Sequence, residues 1–260
     1  MTKQHKNKYV SKDILLAWAG RTIRGRYQQS LLGGLWAVIQ PVATVLLFSI
    51  IFTQFVPVNT GDIPYPVFSY AAIVPWTLLA SSLADMSTSL VQNMNLVTKI
   101  YFPREVLPLA ALLSRLFDFA IAILVLVGLM IFFQVPVFPQ GWLFLPLILL
   151  IQISLIAGVG LIASALNVFY RDVQPMLTLF TQLWFYASPI IYPINLVPEK
   201  YQKLYSLNPM VGILSSYRGI LLEEKLPGPE LYSAAIVSLV ILIFGYWLFK
   251  RVEPLFADIV

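Results

Sequence analysis

The sequence predicts an all-α integral membrane protein, with six transmembrane helices preceded by an amphipathic interface helix. Hydrophobic residues make up 59% of the 260 residues and charged residues only 11%, a balance that excludes an ordinary soluble globular domain. The 52 residues from Phe119 to Tyr170 contain no Asp, Glu, Lys or Arg. As one helix they would measure about 78 Å, against about 30 Å for a bilayer core, so this stretch must cross the membrane twice.

The first 30 residues predict a cytoplasmic tail and a helix on the membrane surface. Leu16, Ala19, Ile23 and Tyr27 recur at helical spacing between positions 11 and 30, with basic residues beside them, and Ser11 is a candidate N-cap. An anchor that only sets topology and a helix with a functional role both fit this pattern. The candidate residues of the interface helix are Trp18, Arg21, Arg24, Arg26 and Tyr27.

The rest of the chain, 31–260, predicts one six-span bundle, so that 1–260 form a single domain. The predicted spans are 35–55, 67–90, 108–133, 142–167, 173–191 and 234–249. Residues 134–141 carry Pro136, Pro139 and Gly141 and predict a tight turn between the third and fourth spans. Residues 1–30 hold seven Lys and Arg against one acid, which predicts that both termini are cytoplasmic.

A long segment, 192–232, separates the last two spans on the predicted outer side. It is rich in Tyr and Pro and its charges balance. Long loops without regular structure are uncommon, so this segment predicts short helices at the outer membrane interface, with a solvated loop as the alternative.

Three charged residues fall inside predicted spans, namely Asp85, Arg115 and Asp118. Charges at this depth are costly and are expected to pair. Asp85 and Arg115 have similar predicted depths, and Arg115 lies three residues from Asp118 on one helix. An ion cluster that locks two helices is the favoured interpretation, and a proton relay or substrate-binding charge is the alternative.

Catalytic and metal-binding patterns are absent from the sequence. The only His is His5, there is no Cys, and no span pairs carboxylates with metal-ligand spacing. A membrane-embedded glycosyl- or acyltransferase is therefore disfavoured, and we expect no enzyme and no metal site. The excess of basic residues follows from membrane topology and does not indicate nucleic acid. No GxxxxGK[ST] motif occurs, so a partner must hold any ATP that drives the protein.

Aromatic residues cluster on two predicted spans. Phe48, Phe52 and Phe55 share one face of the first, and Phe180 and Trp184 share one face of the fifth, next to Tyr186. These six residues are candidates for lining a sugar path, since aromatic faces stack on sugar rings. Lipid contact or helix packing is the alternative for each.

Four stretches resemble a known family. They are LLAWAGRTIRGRYQQSLLGGLWAVIQPV (15–42), LVTKIYFPREVLPLA (96–110), NVFYRDVQPML (167–177) and YASPIIYP (186–193). Together they are similar to permease subunits of type-2 ABC exporters of polysaccharides, with the best match to bacterial O-antigen, capsule and teichoic-acid export permeases. The resemblance covers nearly the whole chain.

The resemblance implies a multi-pass protein of the bacterial inner membrane that forms a homodimer bound to two separate ATPase subunits, which hold ATP and Mg²⁺. The implied substrate is a polyprenyl-linked polysaccharide, with O-antigen favoured, and membrane lipid is a further expected partner. A type-2 ABC exporter of drugs or small lipids is the alternative, because such a permease shares the topology.

The resemblance also assigns roles to segments. The first and fifth spans line the path, the N-terminal helix lies beside the gate, and the outer segment forms gate helices. The implied contacts with the ATPase are a cytoplasmic coupling helix and a second cytoplasmic turn, made by Thr98, Lys99, Ile100, Tyr101, Phe102, Pro103, Arg104, Glu105, Arg171 and Asp172.

Overall fold

The computed structural model describes residues 3–28, 33–55, 57–100 and 102–257. Every regular element within these ranges is helical, which confirms the all-α prediction. The α-helices in chain order are α1 (Lys3–Gln28), α2 (Trp36–Ile50), α3 (Tyr65–Gln92), α4 (Met94–Lys99), α5 (Val106–Phe132), α6 (Pro139–Trp142), α7 (Leu145–Phe169), α8 (Val173–Tyr186), α9 (Glu199–Tyr205), α10 (Pro209–Leu222) and α11 (Glu230–Val252).

Five helical segments among the described residues are long and apolar enough to cross a membrane. They are Gly33–Phe55, Tyr65–Gln92, Val106–Phe132, Pro139–Phe169 and Glu230–Phe256. They coincide with five of the six predicted spans. The other predicted span, 173–191, contains α8, whose 14 residues measure about 21 Å and are shorter than a bilayer core. The count of six crossings therefore stays a prediction.

Helix α1 begins earlier than the sequence predicted. It runs from Lys3 through Ser11, so Ser11 is an interior residue and the N-cap prediction was wrong. The run of Lys, Gln and Asn before Ser11 contains no Gly or Pro that would stop a helix. The predicted end at Ser30 lies outside the described residues.

Helix α3 forms the centre of the bundle. It packs against α2, α5, α7, α8 and α10, and 78% of the residues in its most apolar 18-residue stretch are buried. Small buried residues on α3, such as Ser69, Ala71, Ala72 and Ser82, let the neighbouring backbones approach closely. The segment Gly33–Phe55, which contains α2, differs sharply, since only 11% of its most apolar 18-residue stretch is buried.

The predicted turn between the third and fourth spans is present. Helix α5 ends at Phe132, and Gln134 adopts a positive φ of 55°, the left-handed conformation that commonly terminates helices. Pro139 then starts the short α6, where its missing N–H is not needed.

Two glycines bring α7 and α11 into backbone contact. A Cβ on Gly245 would collide with the carbonyl oxygen of Gly158, and a Cβ on Gly158 would lie 2.6 Å from the backbone nitrogen of Leu242. Only glycine permits this approach, which is typical of helix pairs that associate through small residues.

The segment 192–232 contains helices, as the sequence predicted, so the solvated-loop alternative was wrong. A 3₁₀ turn at Ile194–Leu196 precedes α9 and α10. The Asn208 side chain caps α10 by accepting from the Met210 N–H at 3.0 Å, and Pro209 occupies the first helical position. Helix α10 is largely buried against α3, α7 and α11.

Candidate functional site

The three charged residues predicted inside the spans lie together. Arg115 on α5 makes two hydrogen bonds to the Asp85 carboxylate on α3, from Nε to Oδ2 at 2.7 Å and from Nη2 to Oδ1 at 3.0 Å. Its Nη1 lies 3.1 Å from Oδ2 of Asp118. A forked guanidinium–carboxylate pair of this kind fixes the relative position of the two helices.

The last turn of α1 joins the same cluster. Arg26 donates to Oδ2 of Asp85 and to Oδ2 of Asp118, both at 2.6 Å, and to Oγ of Ser114 at 3.0 Å. Two guanidinium groups therefore face two carboxylates, and the formal charges balance. We refer to Arg26, Asp85, Arg115 and Asp118 as the ion cluster.

Tyr27 adds a neutral donor to the ion cluster, because its hydroxyl donates to Oδ1 of Asp118. Burial, and next the hydrogen bond to Asp118, raise the pKa of Tyr27 to about 12. The hydroxyl therefore stays protonated across the physiological range. The interface helix and the charges in the spans, which the sequence treated separately, form one contact.

Two cavities flank the ion cluster. One of about 230 Å³ is lined by Trp18, Thr22 and Asn93, among others, and lies toward the end of α3. The other, of about 110 Å³, lies between α1, α2, α3 and α5 and is lined by residues that include Trp36 and Gln40. The four charged side chains are 14–28% exposed in the single chain, so their burial is incomplete, and incomplete burial lowers the cost of desolvating the charges.

The remaining interface-helix candidates lie outside the cluster. The Arg21 guanidinium stacks 4.6 Å from the Trp18 ring, and Trp18 packs against the apolar cluster at the end of the bundle. Arg24 is exposed and donates to the carbonyl of Gly20 on its own helix. Of the five candidates, Arg26 and Tyr27 thus bond to the charged residues of the spans, and Trp18, Arg21 and Arg24 do not.

The segment that resembles a coupling helix is helical only in part. Helix α4 contains Thr98 and Lys99 but ends there, and the backbone is extended at Ile100. Pro103 disfavours helix at Phe102, and the branched side chain of Ile100 favours an extended backbone. The helical part therefore lies earlier than predicted. Tyr101 lies outside the described residues.

The side chains of this segment point in different directions. Lys99 and Ile100 are exposed, whereas Phe102 packs against the same apolar cluster as Trp18. Arg104 bonds to Glu253, which follows α11, and Glu105 accepts from Lys250 in the last turn of α11. Arg171 and Asp172 form an exposed turn between α7 and α8. Lys99, Ile100, Arg171 and Asp172 are thus the exposed residues among these candidates.

Among the aromatic candidates of the first span, Phe48 and Phe52 lie together, with ring centroids 6.0 Å apart. Residues Ile51–Phe55 form a π-helical turn, which changes the side-chain register that the sequence assumed. Phe48 contacts Phe185 at 6.2 Å between ring centroids, and Phe52 stacks on Tyr65 at 5.7 Å. Phe55 is 74% exposed. Phe48 and Phe52 are thus partly covered by other rings, and Phe55 is the most open of the three.

The aromatic candidates of α8 comprise one packed ring, Trp184, and two exposed rings. Trp184 donates from Nε1 to Oδ1 of Asn208 at 2.8 Å and contacts the Trp76 ring edge to face. Phe180 and Tyr186 are exposed. Trp76 and Asn208 were missed by the sequence analysis because they contact α8 only in the folded chain.

A buried arginine marks the other end of the bundle. Arg218 on α10 is 4% exposed and donates to the carbonyls of Phe68, Pro189 and Ile190. Its guanidinium lies 3.6 Å from the Phe68 ring centroid. Arg218 thus joins the start of α3, the turn after α8 and α10. In the sequence, Arg218 is one of the balanced charges of segment 192–232.

Comparisons with known proteins agree with this architecture. Residues 15–222 match the family model described as ABC-2 type transporter. The chain is 30% identical to the O-antigen export system permease protein RfbA of Myxococcus xanthus, over 96% of each chain, and 28% identical to RfbA of Klebsiella pneumoniae, over 95% of each. It is also 28% identical to the polysialic acid transport protein KpsM of Escherichia coli, over 94% of this chain and 95% of that protein.

Proposed function

The chain belongs to the ABC-2 type transporter family, and we propose that it is the membrane-spanning subunit of an ATP-driven exporter of a lipid-linked polysaccharide, with O-antigen favoured. The observation that carries this proposal is similarity over nearly the whole chain to permeases named for O-antigen export and for polysialic acid transport. Both names specify polysaccharides. The chain itself then acts as a transport subunit and not as an enzyme.

The uncovered faces of α2 and α8 support a homodimer. None of the 14 residues of α8 is buried, and apolar side chains such as Leu46 on α2 and Leu183 on α8 are exposed. Such faces need lipid or protein against them. In the proposal a second copy covers them, and the path runs between the copies along α2 and α8. Phe55, Phe180 and Tyr186 then offer rings on which sugars stack.

Two ATPase subunits complete the proposed assembly and hold ATP and Mg²⁺, since this sequence contains no P-loop motif. The exposed residues Lys99, Ile100, Arg171 and Asp172 support docking sites at the cytoplasmic ends of the helices. The proposal places the protein in the bacterial inner membrane with both termini cytoplasmic.

The ion cluster has a structural role in this proposal. Its balanced charges and its bonds among α1, α3 and α5 support a lock that holds the interface helix on the bundle. A proton relay is the alternative, and it requires transport to depend on a proton gradient. ATP-driven transport that persists without any gradient would exclude the relay.

The experiment that tests the proposed function is purification of the tagged chain from its own bacterium in mild detergent. We expect an ATPase subunit to copurify in a 2:2 complex and mass analysis to find a bound polyprenyl-linked glycan. Deleting the gene should leave the lipid-linked glycan on the cytoplasmic side of the membrane, and restoring it should return the glycan to the cell surface.

Two results would overturn the proposal. One is normal surface glycan in the deletion strain, together with lost efflux of drugs or small lipids, which would favour the alternative substrate class. The other is a purified chain that shows no associated ATPase under conditions in which it remains folded.

A further inference from the structure

The turn that follows α11 has no role in the function proposed so far. Residues Glu253–Ala257 form a 3₁₀ helix, which we call the C-terminal turn. It lies against α4, the short helix whose exposed end is a proposed docking site for the ATPase. Sequence patterns do not indicate this contact, because 149 positions separate Arg104 from Glu253.

Arg104 connects the C-terminal turn to α4. Its backbone N–H donates to Oε1 of Glu253 at 3.1 Å, and its guanidinium donates to the backbone carbonyl of Glu253. The guanidinium also reaches the carbonyl of Val97 on α4 at 3.4 Å. One side chain thus joins the last helical turn of α4 to the C-terminal turn.

Glu253 also binds a second cation. Its Oε2 lies 2.9 Å from Nζ of Lys250, which lies 2.7 Å from Oε2 of Glu105 at the start of α5. Lys250 therefore bridges the two acids Glu105 and Glu253, and both carboxylates are less than one-fifth exposed. The Arg104 guanidinium bonds to backbone carbonyls instead. Glu253 is the one residue of this group that bonds to both bases, and charge-assisted hydrogen bonds of this kind are directional.

Apolar packing holds the same turn in place. Phe256 is fully buried, with its ring centroid 5.5 Å from that of Phe249 on α11 and 5.9 Å from that of Phe169 on α7. Val97 of α4 and Leu107 of α5 belong to the same apolar cluster. The C-terminal turn is therefore the place where α4, α5, α7 and α11 meet.

We infer that the C-terminal turn positions α4 for the ATPase, with Glu253 as the positioning residue and Phe256 as its apolar anchor. This inference rests on the proposed function. Arg104 then acts within the subunit by orienting α4, and the residues left to touch the ATPase are the exposed ones at the end of α4, Lys99 and Ile100. Closure of the ATPase moves α4 and α11 together through this contact.

A thiol introduced at Val97 reports whether the turn holds α4. The chain contains no Cys, so V97C gives a single thiol at a site that is only 2% exposed. We expect slow maleimide labelling of V97C alone. Labelling should be about tenfold faster when V97C is combined with Glu253→Gln, which keeps the side-chain size but removes the charge. Leu255→Ala, in the same turn but exposed, is the matched control and should leave the rate unchanged.

Coupling is then measured with the wild-type Val97 restored. In vesicles that hold the permease and its ATPase, Glu253→Gln should lower the glycan moved per ATP hydrolysed severalfold, whereas Leu255→Ala should match the wild type. Phe256→Ala should act in the same direction and more strongly. If it fails to fold, Glu253→Gln still decides the question.

The outcomes separate the two hypotheses. Unchanged labelling in Glu253→Gln overturns the inference, and so does faster labelling with unchanged coupling, because the turn would then serve packing alone. A wild-type chain that neither binds nor stimulates an ATPase overturns the proposed function instead, and the labelling rates still decide whether the C-terminal turn holds α4.

Discussion

Arg26, in the last turn of α1, places its guanidinium 2.6 Å from the carboxylate of Asp118, which lies on α5 and 92 positions away in the sequence. The same guanidinium reaches Asp85 on α3. Ion pairs therefore hold the end of α1 on the bundle, in addition to the apolar contacts of Trp18 and Ala19.

Arg26→Gln should destabilise the protein more than Arg24→Gln does. Without Arg26, two carboxylates share the single cation Arg115. We expect a loss of about 1–3 kcal/mol, between the values for exposed and buried pairs. This corresponds to a melting temperature lower by several degrees in detergent or nanodiscs. Arg24 donates to a carbonyl of its own helix. Equal shifts in melting temperature in the two variants would therefore contradict a role of Arg26 in holding α1 on the bundle.

Stability that depends on Tyr27 should decline only in strong alkali. Its pKa is about 12 in the folded protein and about 10 when unfolded, so the protonated hydroxyl favours the folded state. This contribution is fully present below pH 10 and is lost as the pH rises toward 12. The difference in melting temperature between the wild type and Tyr27→Phe should be constant from pH 7 to 9.5 and shrink above pH 10. A difference that vanishes near neutral pH would refute the assignment.

Gly245→Ala should separate α7 from α11, because the added methyl group meets the carbonyl oxygen of Gly158. We expect a cost of about 1–3 kcal/mol, as for other overpacked contacts. Gly128→Ala is the matched control, since nothing lies within 4 Å of its added Cβ and alanine favours the helix. Thermal unfolding of both variants checks this. A neutral Gly245→Ala would show that the helices can move apart without cost.

Trp184 and Phe180 should differ in what their loss affects. Trp184→Ala removes the bond to Asn208 and the contact with Trp76, so we expect a stability loss of about 2–3 kcal/mol. Phe180→Ala removes a half-exposed ring whose centroid lies 5.1 Å from that of Trp184, so we expect a smaller stability loss of about 0.5–1.5 kcal/mol together with slower glycan transport in vesicles. Transport at the wild-type rate in Phe180→Ala would remove that ring from the proposed path.

Much of the helical layout follows from the sequence. Charge-free apolar stretches and turn residues such as Pro136 and Pro139 locate five spans and the turn after α5, because bilayer thickness and helix rise leave few alternatives. The pairing of Asp85 with Arg115 followed from their similar predicted depths. These inferences rely on local pattern and on one physical length.

Contacts that depend on docking were not predictable in the same way. Helical spacing shows which residues of α1 share a face but not where α1 ends, so the position of Arg26 beside Asp118 was missed. A charge count gave a signal, since Asp85 and Asp118 exceed Arg115 by one charge and a buried excess needs a partner. The π-helical turn Ile51–Phe55 has no sequence signature of this kind, and it changes the helical register of Phe52 and Phe55.

The backbone contact between Gly158 and Gly245 has a mechanical consequence. Close-packed helices are stiff, since their atoms have no empty space into which to yield. Helices α7 and α11, together with α3, which packs against α7, therefore form one rigid body. Helices α2 and α8, which bury little of their surface, form the compliant part of the subunit. Displacing α2 and α8 therefore disturbs fewer contacts than separating α7 from α11.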